Sequence, residues 1–354
     1  MEKIKKIRFD WNGGLFMNKD TEKNKVPATE EQKTKEQKLP HFRINLHIVF
    51  LSAIALIFVI CAYKLYKWNK GVVPADDPSI EAGDFDVEVL DNIIPLAPDK
   101  LEGHEDDGVT TILCLGDDPL SLDRSETGIA ELIAAKTGAT VYNGSFTGTT
   151  IGARYPAFNN SYWIDALSLS YLAKGLCSGD FSLIESAAYY SYDPDFIPTV
   201  HMLEGLDMEK VDIICIMYDA IDYINEIPSD DPNDPYNIVA YTGALRTAIE
   251  ALQETYPYIR IVVMSHMFCH SIGEDGNFQN GDRADLGHGT LSHYLQKELD
   301  VTSDCGVSWI DNFYGSINED NYLEYMTDYI HLNDAGKELL AQRFVDCILP
   351  QKEQ

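Results

Sequence analysis

The chain has 354 residues, 45% of them hydrophobic, with 20 Tyr and 14 Phe; that supplies a large core and excludes global disorder. Its formal net charge of -30 is unevenly placed: residues 1–70 hold 14 basic and 7 acidic residues, which leaves 13 basic and 50 acidic for the rest. A domain that acidic excludes nucleic acid as a partner, since binding it requires neutralising phosphate, and suits solubility, cations or basic partners.

Residues 1–43 are rich in Lys, Glu, Thr and Gln and nearly free of aromatics after Phe16, which predicts a disordered tail. Within it Asn12-Gly13-Gly14 stands just before Met17, where glycine codons would make a ribosome-binding sequence; translation is expected to start at Met17 rather than Met1. Residues 44–63 read INLHIVFLSAIALIFVICAY with no formal charge, long enough for one transmembrane helix in the lipid bilayer. Tyr63, Tyr66 and Trp68 mark an interface, and Lys64, Lys67 and Lys70 would snorkel there. Basic residues flank both ends, so the positive-inside rule barely orients the span. Residues 64–108, with Pro74, Pro78, Pro95 and Pro98 among many acids, read as a linker or irregular lead-in.

A single domain is expected over 109–350. Apolar runs at 111–115, 140–142, 211–218, 259–264 and 307–310 read as buried strands. Helical spacing recurs at 129–137, 163–176, 183–190, 196–206, 237–255, 291–299 and 333–348. Strands alternating with helices predict a mainly parallel sheet covered on both faces, a flavodoxin-like three-layer α/β/α sandwich. Ligands in such sheets bind beyond the carboxyl ends of the strands. Loops starting at Gly116, Asn143, Asp219, His266 and Asp311 should therefore line the site. Cys114 and Cys215 lie inside strand runs and read as core thiols. The glycine-rich segment 269–289 reads as a long lid-like loop, with His266, His270, His288 and His293 in and around it. Tyr155, Tyr162, Trp163, Tyr218, Tyr223, Tyr236 and Tyr241 serve either packing or stacking on sugar rings.

Four segments carry a family pattern. Gly116-Asp117-Asp118-Pro119-Leu120 follows the first strand. Asn143-Gly144-Ser145-Phe146-Thr147-Gly148 follows the second. Tyr218-Asp219-Ala220-Ile221-Asp222 follows the third. Asp328-Tyr329-Ile330-His331 precedes the closing helix. In order and spacing they resemble the four blocks of the SGNH (GDSL-type) hydrolases over about 240 residues, which implies the SGNH fold. The resemblance also implies a hydrolase acting on acyl esters, and for an anchored, extracytoplasmic member, esters of cell-envelope or exported polysaccharide. It places the large domain outside the cell membrane and the N-terminus inside.

The same resemblance assigns His331 as base, Asp328 as its orienting acid and Gly148 as an oxyanion donor, with Asp117, Asn143 and Asp222 as supporting block residues. Two positions depart. Asp118 stands where the nucleophilic serine would be, and Ile221 stands where an asparagine amide would donate. Asp219 takes a glycine position. A carboxylate repels a developing oxyanion, and its attack on an ester would give an anhydride, so the alternative is an inactive module that binds a glycan or acylated ligand, or a scaffold. Crowded carboxylates beside one histidine cannot all stay ionised unaided; protonation, a His331 cation, or a divalent cation could resolve them. The spacing itself assigns no metal ligands.

Overall fold

The computed structural model describes residues 46–69, 89–273 and 276–349, in two compact units, Met1–Ala82 and Gly83–Gln354. The tail expected over 1–43 and residues 70–88 of the expected linker lie outside the described residues. In the first unit, helix α1 runs over Leu46–Asn69. Its described side chains, 50–64, are exposed, with Phe50 at 66% and Phe58 at 75%. Among the described residues no helix is long and apolar enough to cross a membrane. Residues 44 and 45 of the expected span, and the side chains of 46–49, are not among those described.

The second unit is built on five parallel strands: β1 (Thr111–Gly116), β2 (Thr140–Asn143), β3 (Ile213–Met217), β4 (Arg260–Met264) and, after a two-stranded hairpin of β5 (His270–Ile272) and β6 (Phe278–Asn280), β7 (Ser308–Ile310). The sheet order is β2-β1-β3-β4-β7, the doubly wound order in which the chain reverses direction beside its first strand. Side chains alternate across a strand, and here the alternation divides the core in two. Leu113, Leu115, Ile214, Ile216 and Val263 face the cluster that includes helices 169–178 and 241–255. Ile112, Cys114, Cys215, Met217 and Val262 face the cluster that includes helices 129–137 and 334–348. Both faces of β1 and β3 are thus buried, which is why their sequences are near-continuous apolar runs. Cys114 and Cys215, paired across the register, are buried free thiols.

Two elements differ from the expected ones. The helix expected over 163–176 is a 3-10 segment, Asn160–Leu167, and a separate α-helix, Leu169–Ser178, divided at Ser168 in extended conformation. The break lets Asp165 turn its carboxylate to the N–H groups of Arg154 and Tyr155 (2.7 and 2.9 Å). The expected loop over 269–289 contains the antiparallel hairpin β5–β6. Before β1, Asn92 forms an antiparallel bridge to Trp309 on the edge strand β7, with both backbone bonds made (2.9 and 2.8 Å).

Candidate active site

Because all five strands point the same way, the loops after β1, β2 and β3 emerge at one end of the sheet. Gly116 closes β1 where no other residue fits: an added Cβ would lie 1.9 Å from the carbonyl oxygen of Met217. This close approach of β1 and β3 delivers Asp117 and Asp118 to the top of the sheet. The Asp328–His331 turn reaches the same point from just before helix 334–348. That helix is capped by the Asn333 side chain accepting from Gly336 N–H at 3.0 Å.

The three residues form a chain. His331 Nδ1 lies 2.7 Å from Asp328 Oδ2, and His331 Nε2 lies 3.2 Å from Asp118 Oδ2. Asp328 Oδ1 accepts from the backbone N–H groups of Ile330 and His331 (2.9 and 2.8 Å). Burial alone would lower the pKa of His331, yet hydrogen bonds to Asp328 and Asp118 and their charges outweigh it and hold the imidazole above its ordinary value. Burial pushes Asp328 upward, but the His331 side chain and the two N–H groups prevail and keep it below the usual carboxylate range. Gly148, at φ +71°, aims its N–H at Asp118 Oδ1 (2.6 Å). The Asp118 carboxylate therefore fills two positions at once: one oxygen lies against the base, and the other accepts the N–H that the family resemblance assigns to an oxyanion.

Neither nearby serine substitutes for it. Ser121 Oγ is 2.9 Å from Thr147 Oγ1, and Ser125 Oγ donates to Asp123 Oδ1 at 2.6 Å. Ile221 brings an apolar side chain, and its N–H donates to Asp219 Oδ1 (2.8 Å). A pocket of about 190 Å³ lies over the centre, lined by Asp118, Asp123, Asp219, His331 and Lys337, with Pro119, Leu122, Ile330 and Leu332 as apolar walls. Lys337 is neutralised by Asp123 and by Asp334, the latter at 2.8 Å. A second pocket, about 560 Å³, lies on the far side of Asp328 and Tyr329, against His270, Phe278 and Tyr322.

Asp117 and Asp222 lie beneath the pocket, and Asp219 lines it. Asp117 Oδ1 accepts from Asp219 N–H (2.9 Å). Asp117 Oδ2 and Asp219 Oδ2 are both buried without a hydrogen-bond partner among the described residues. Burial first, then the neighbouring charges of Asp219 and Asp118, raise Asp117 well above a normal carboxylate. Asp219 is pushed up to about 7 by burial and by Asp118. Asp222 also rises to about 7 through burial, although its oxygens accept from Ile151 and Gly152 N–H (2.9 and 2.8 Å). Asn143 braces the β2 loop, donating to Leu120 carbonyl (2.8 Å) and accepting from Ser145 N–H (3.2 Å).

Of the residues read from sequence, Asp118, Asp328, His331 and Gly148 converge. Asp117, Asn143 and Asp222 hold the loops from below, and neither they nor Ile221 line the pocket. His266 is buried 3.6 Å from Glu298 rather than facing the cleft, and Asp311 caps its own turn, accepting from Tyr314 N–H at 2.9 Å. Tyr218, Tyr223 and Tyr241 are core residues. Asp219, at the start of a loop expected to line the site, does line the pocket, and Asp123 and Lys337 line it without any sequence signal. Among the described residues no group of three or more His, Cys, Asp or Glu side chains is placed to hold a metal ion.

The sheet order, and the four blocks standing at the strand ends and before the last helix, decide the architecture. The fold is that of the SGNH/GDSL hydrolases. One solved structure matches at a TM-score of 0.50 and 18% identity, over 70% of this chain and the whole of that one. Others include a carbohydrate acetylesterase from Sinorhizobium meliloti (TM-score 0.42, 14% identity, 68% of this chain and 98% of that one). A member of the lipolytic protein G-D-S-L family from Veillonella parvula DSM 2008 scores 0.41 at 14% identity, over 68% of this chain and 100% of that one. At these identities the likeness extends to the fold alone. No family model and no curated protein matches the sequence.

Proposed function

We propose that this SGNH-fold chain is a membrane-anchored, extracytoplasmic hydrolase of the cell envelope or of exported polysaccharide, working without a serine nucleophile. The observation that carries the reading is the unbroken Asp328–His331–Asp118 chain, with Gly148 N–H on the other Asp118 oxygen. A base oriented by a carboxylate beside a positioned backbone N–H is the working core of acyl-transfer and related hydrolases. Acyl esters, the substrates implied by the resemblance, are ill suited to it: the Gly148 N–H is already taken by a carboxylate, and the Ile221 side chain has no donor. Anchoring rests on the uncharged run 44–63 and on the exposed apolar side chains of α1.

The same two features favour a second reading, a binding module that holds a glycan or acylated ligand without turnover. The deciding experiment assays the full chain in detergent against para-nitrophenyl acetate, acetylated oligosaccharides and para-nitrophenyl glycosides. Turnover that disappears in a folded His331→Ala protein supports the hydrolase; saturable ligand binding with no turnover of any of these supports the binding module.

A further inference from the structure

From the two hydrogen bonds of its carboxylate, we infer that Asp118 is itself the nucleophile, attacking a saturated carbon that bears an oxygen leaving group, such as an acetal or epoxide carbon, and passing through an Asp118 ester. This rests on the hydrolase reading and specifies the bond it breaks.

A carboxylate is a poor choice against an acyl carbon, because the product is an anhydride. Against a saturated carbon the product is an ordinary ester, and the parts around Asp118 are those needed to hydrolyse it. Oδ2 lies 3.2 Å from His331 Nε2, and both residues line the pocket. Oδ1 sits on Gly148 N–H (2.6 Å), where negative charge would collect if water attacked the Asp118 carboxyl carbon. In the parent arrangement this N–H serves the substrate's oxygen; here it serves the enzyme's own. The pocket is small and half apolar, from Pro119, Leu122, Ile330 and Leu332, which desolvates an attacking carboxylate.

The two steps balance. First, Asp118 Oδ2 bonds to the substrate carbon, the carbon–oxygen bond to the leaving group breaks, and that oxygen takes a proton from Asp219, which lines the same pocket and is pushed up to about 7 chiefly by burial. Esterification removes one of the two negative charges beside His331; the imidazole gives its proton to solvent and becomes free to act as a base, and takes a proton back from solvent when the Asp118 carboxylate is restored. Second, water gives a proton to His331 and adds to the Asp118 carboxyl carbon. The tetrahedral species collapses, expelling the substrate oxygen, formerly Oδ2, which is reprotonated by His331. The remaining water proton restores Asp219. The net reaction is hydrolysis. The oxygen of the water stays in Asp118 while an Asp118 oxygen leaves in the product.

That oxygen exchange is the test. The full chain is incubated in oxygen-18 water with glycidyl para-nitrophenyl ether and, separately, with para-nitrophenyl glycosides. The peptide containing Asp118 is then weighed by mass spectrometry. The expected result is substrate-dependent label in Asp118 and ordinary oxygen in the product of the first turnover. His331→Ala and His331→Gln, each checked for native circular dichroism, should accumulate the Asp118 ester. Turnover with label in the product, none in Asp118 and no Asp118 ester in either His331 variant overturns the covalent route and leaves the hydrolase reading standing. Absence of turnover together with absence of any Asp118 adduct overturns both.

Discussion

Two groups of acids stand at the same end of the sheet and are held in opposite states. In the chain at the surface, Asp328 accepts three hydrogen bonds, two from backbone and one from an imidazole, and its proton affinity falls. In the buried trio, Asp117 and Asp219 each have one buried oxygen with no hydrogen-bond partner among the described residues, and Asp222 has only two backbone donors against almost complete burial. All three are raised. The residue type is the same; the supply of donors against the loss of water decides the charge. Asp118 lies between the two groups, which is why its carboxylate can be read as a reactive group rather than a loop cap.

The largest change should come from converting the surface chain back to serine chemistry. Asp118→Ser places a hydroxyl beside an intact base and frees Gly148 N–H, so a fluorophosphonate probe that leaves the native protein unlabelled should label the variant, read by gel fluorescence. Adding Ile221→Asn to that variant should raise its para-nitrophenyl acetate hydrolysis by about a hundredfold, the effect of one oxyanion donor. No gain in either protein would mean that the His331–Asp328 pair is not placed for catalysis.

A smaller effect is expected from the buried group. Asp222→Ala strands the N–H groups of Ile151 and Gly152 and should cost about 3 kcal/mol in urea unfolding; a loss under 1 kcal/mol would show that water replaces the carboxylate there. The same buried group should also produce a pH slope. Asp219 and Asp222 bind protons more tightly folded, at about 7, than unfolded, near 3.8. The native state therefore holds extra protons between those values, and stability falls as pH rises through that interval. His331, raised above 6.5, contributes stability that is present below 6.5 and lost as pH rises through its folded value, which has the same sign. Unfolding free energy should decline from pH about 5 to about 8, and Asp219→Gly should flatten the decline.

What the sequence revealed follows the range of the interactions. β1 and β3 were legible because strands buried on both faces must be apolar throughout. Asp328 and His331 were legible because the pair lies within four residues, beside a helix start. Asp117 and Asp219 were legible as neighbouring acids at the strand ends, but not the bond from Asp219 N–H to Asp117, whose partners lie 102 residues apart and meet through the β1–β3 register. The break at Ser168 was hidden because an apolar helical spacing spans it; the demand for a carboxylate at Arg154 and Tyr155 comes from a distant loop. The hairpin β5–β6 has three residues per strand, too few for alternation to register.

The bridge between Asn92 and Trp309 has a consequence for how the domain meets other molecules. An open sheet ends in strands whose unpaired backbone groups invite another chain to add on. On the β7 side that invitation is answered from within, since Asn92 takes both bonds of Trp309 and Ile94 donates to Ser308 Oγ (3.0 Å). The bridging segment also runs opposite to β7, so Leu90 sits at Asp311, the far end of the strand. The first described residues of the domain therefore stand at the carboxyl rim of the sheet, where the loop carrying Asp118 also emerges, and not at its base.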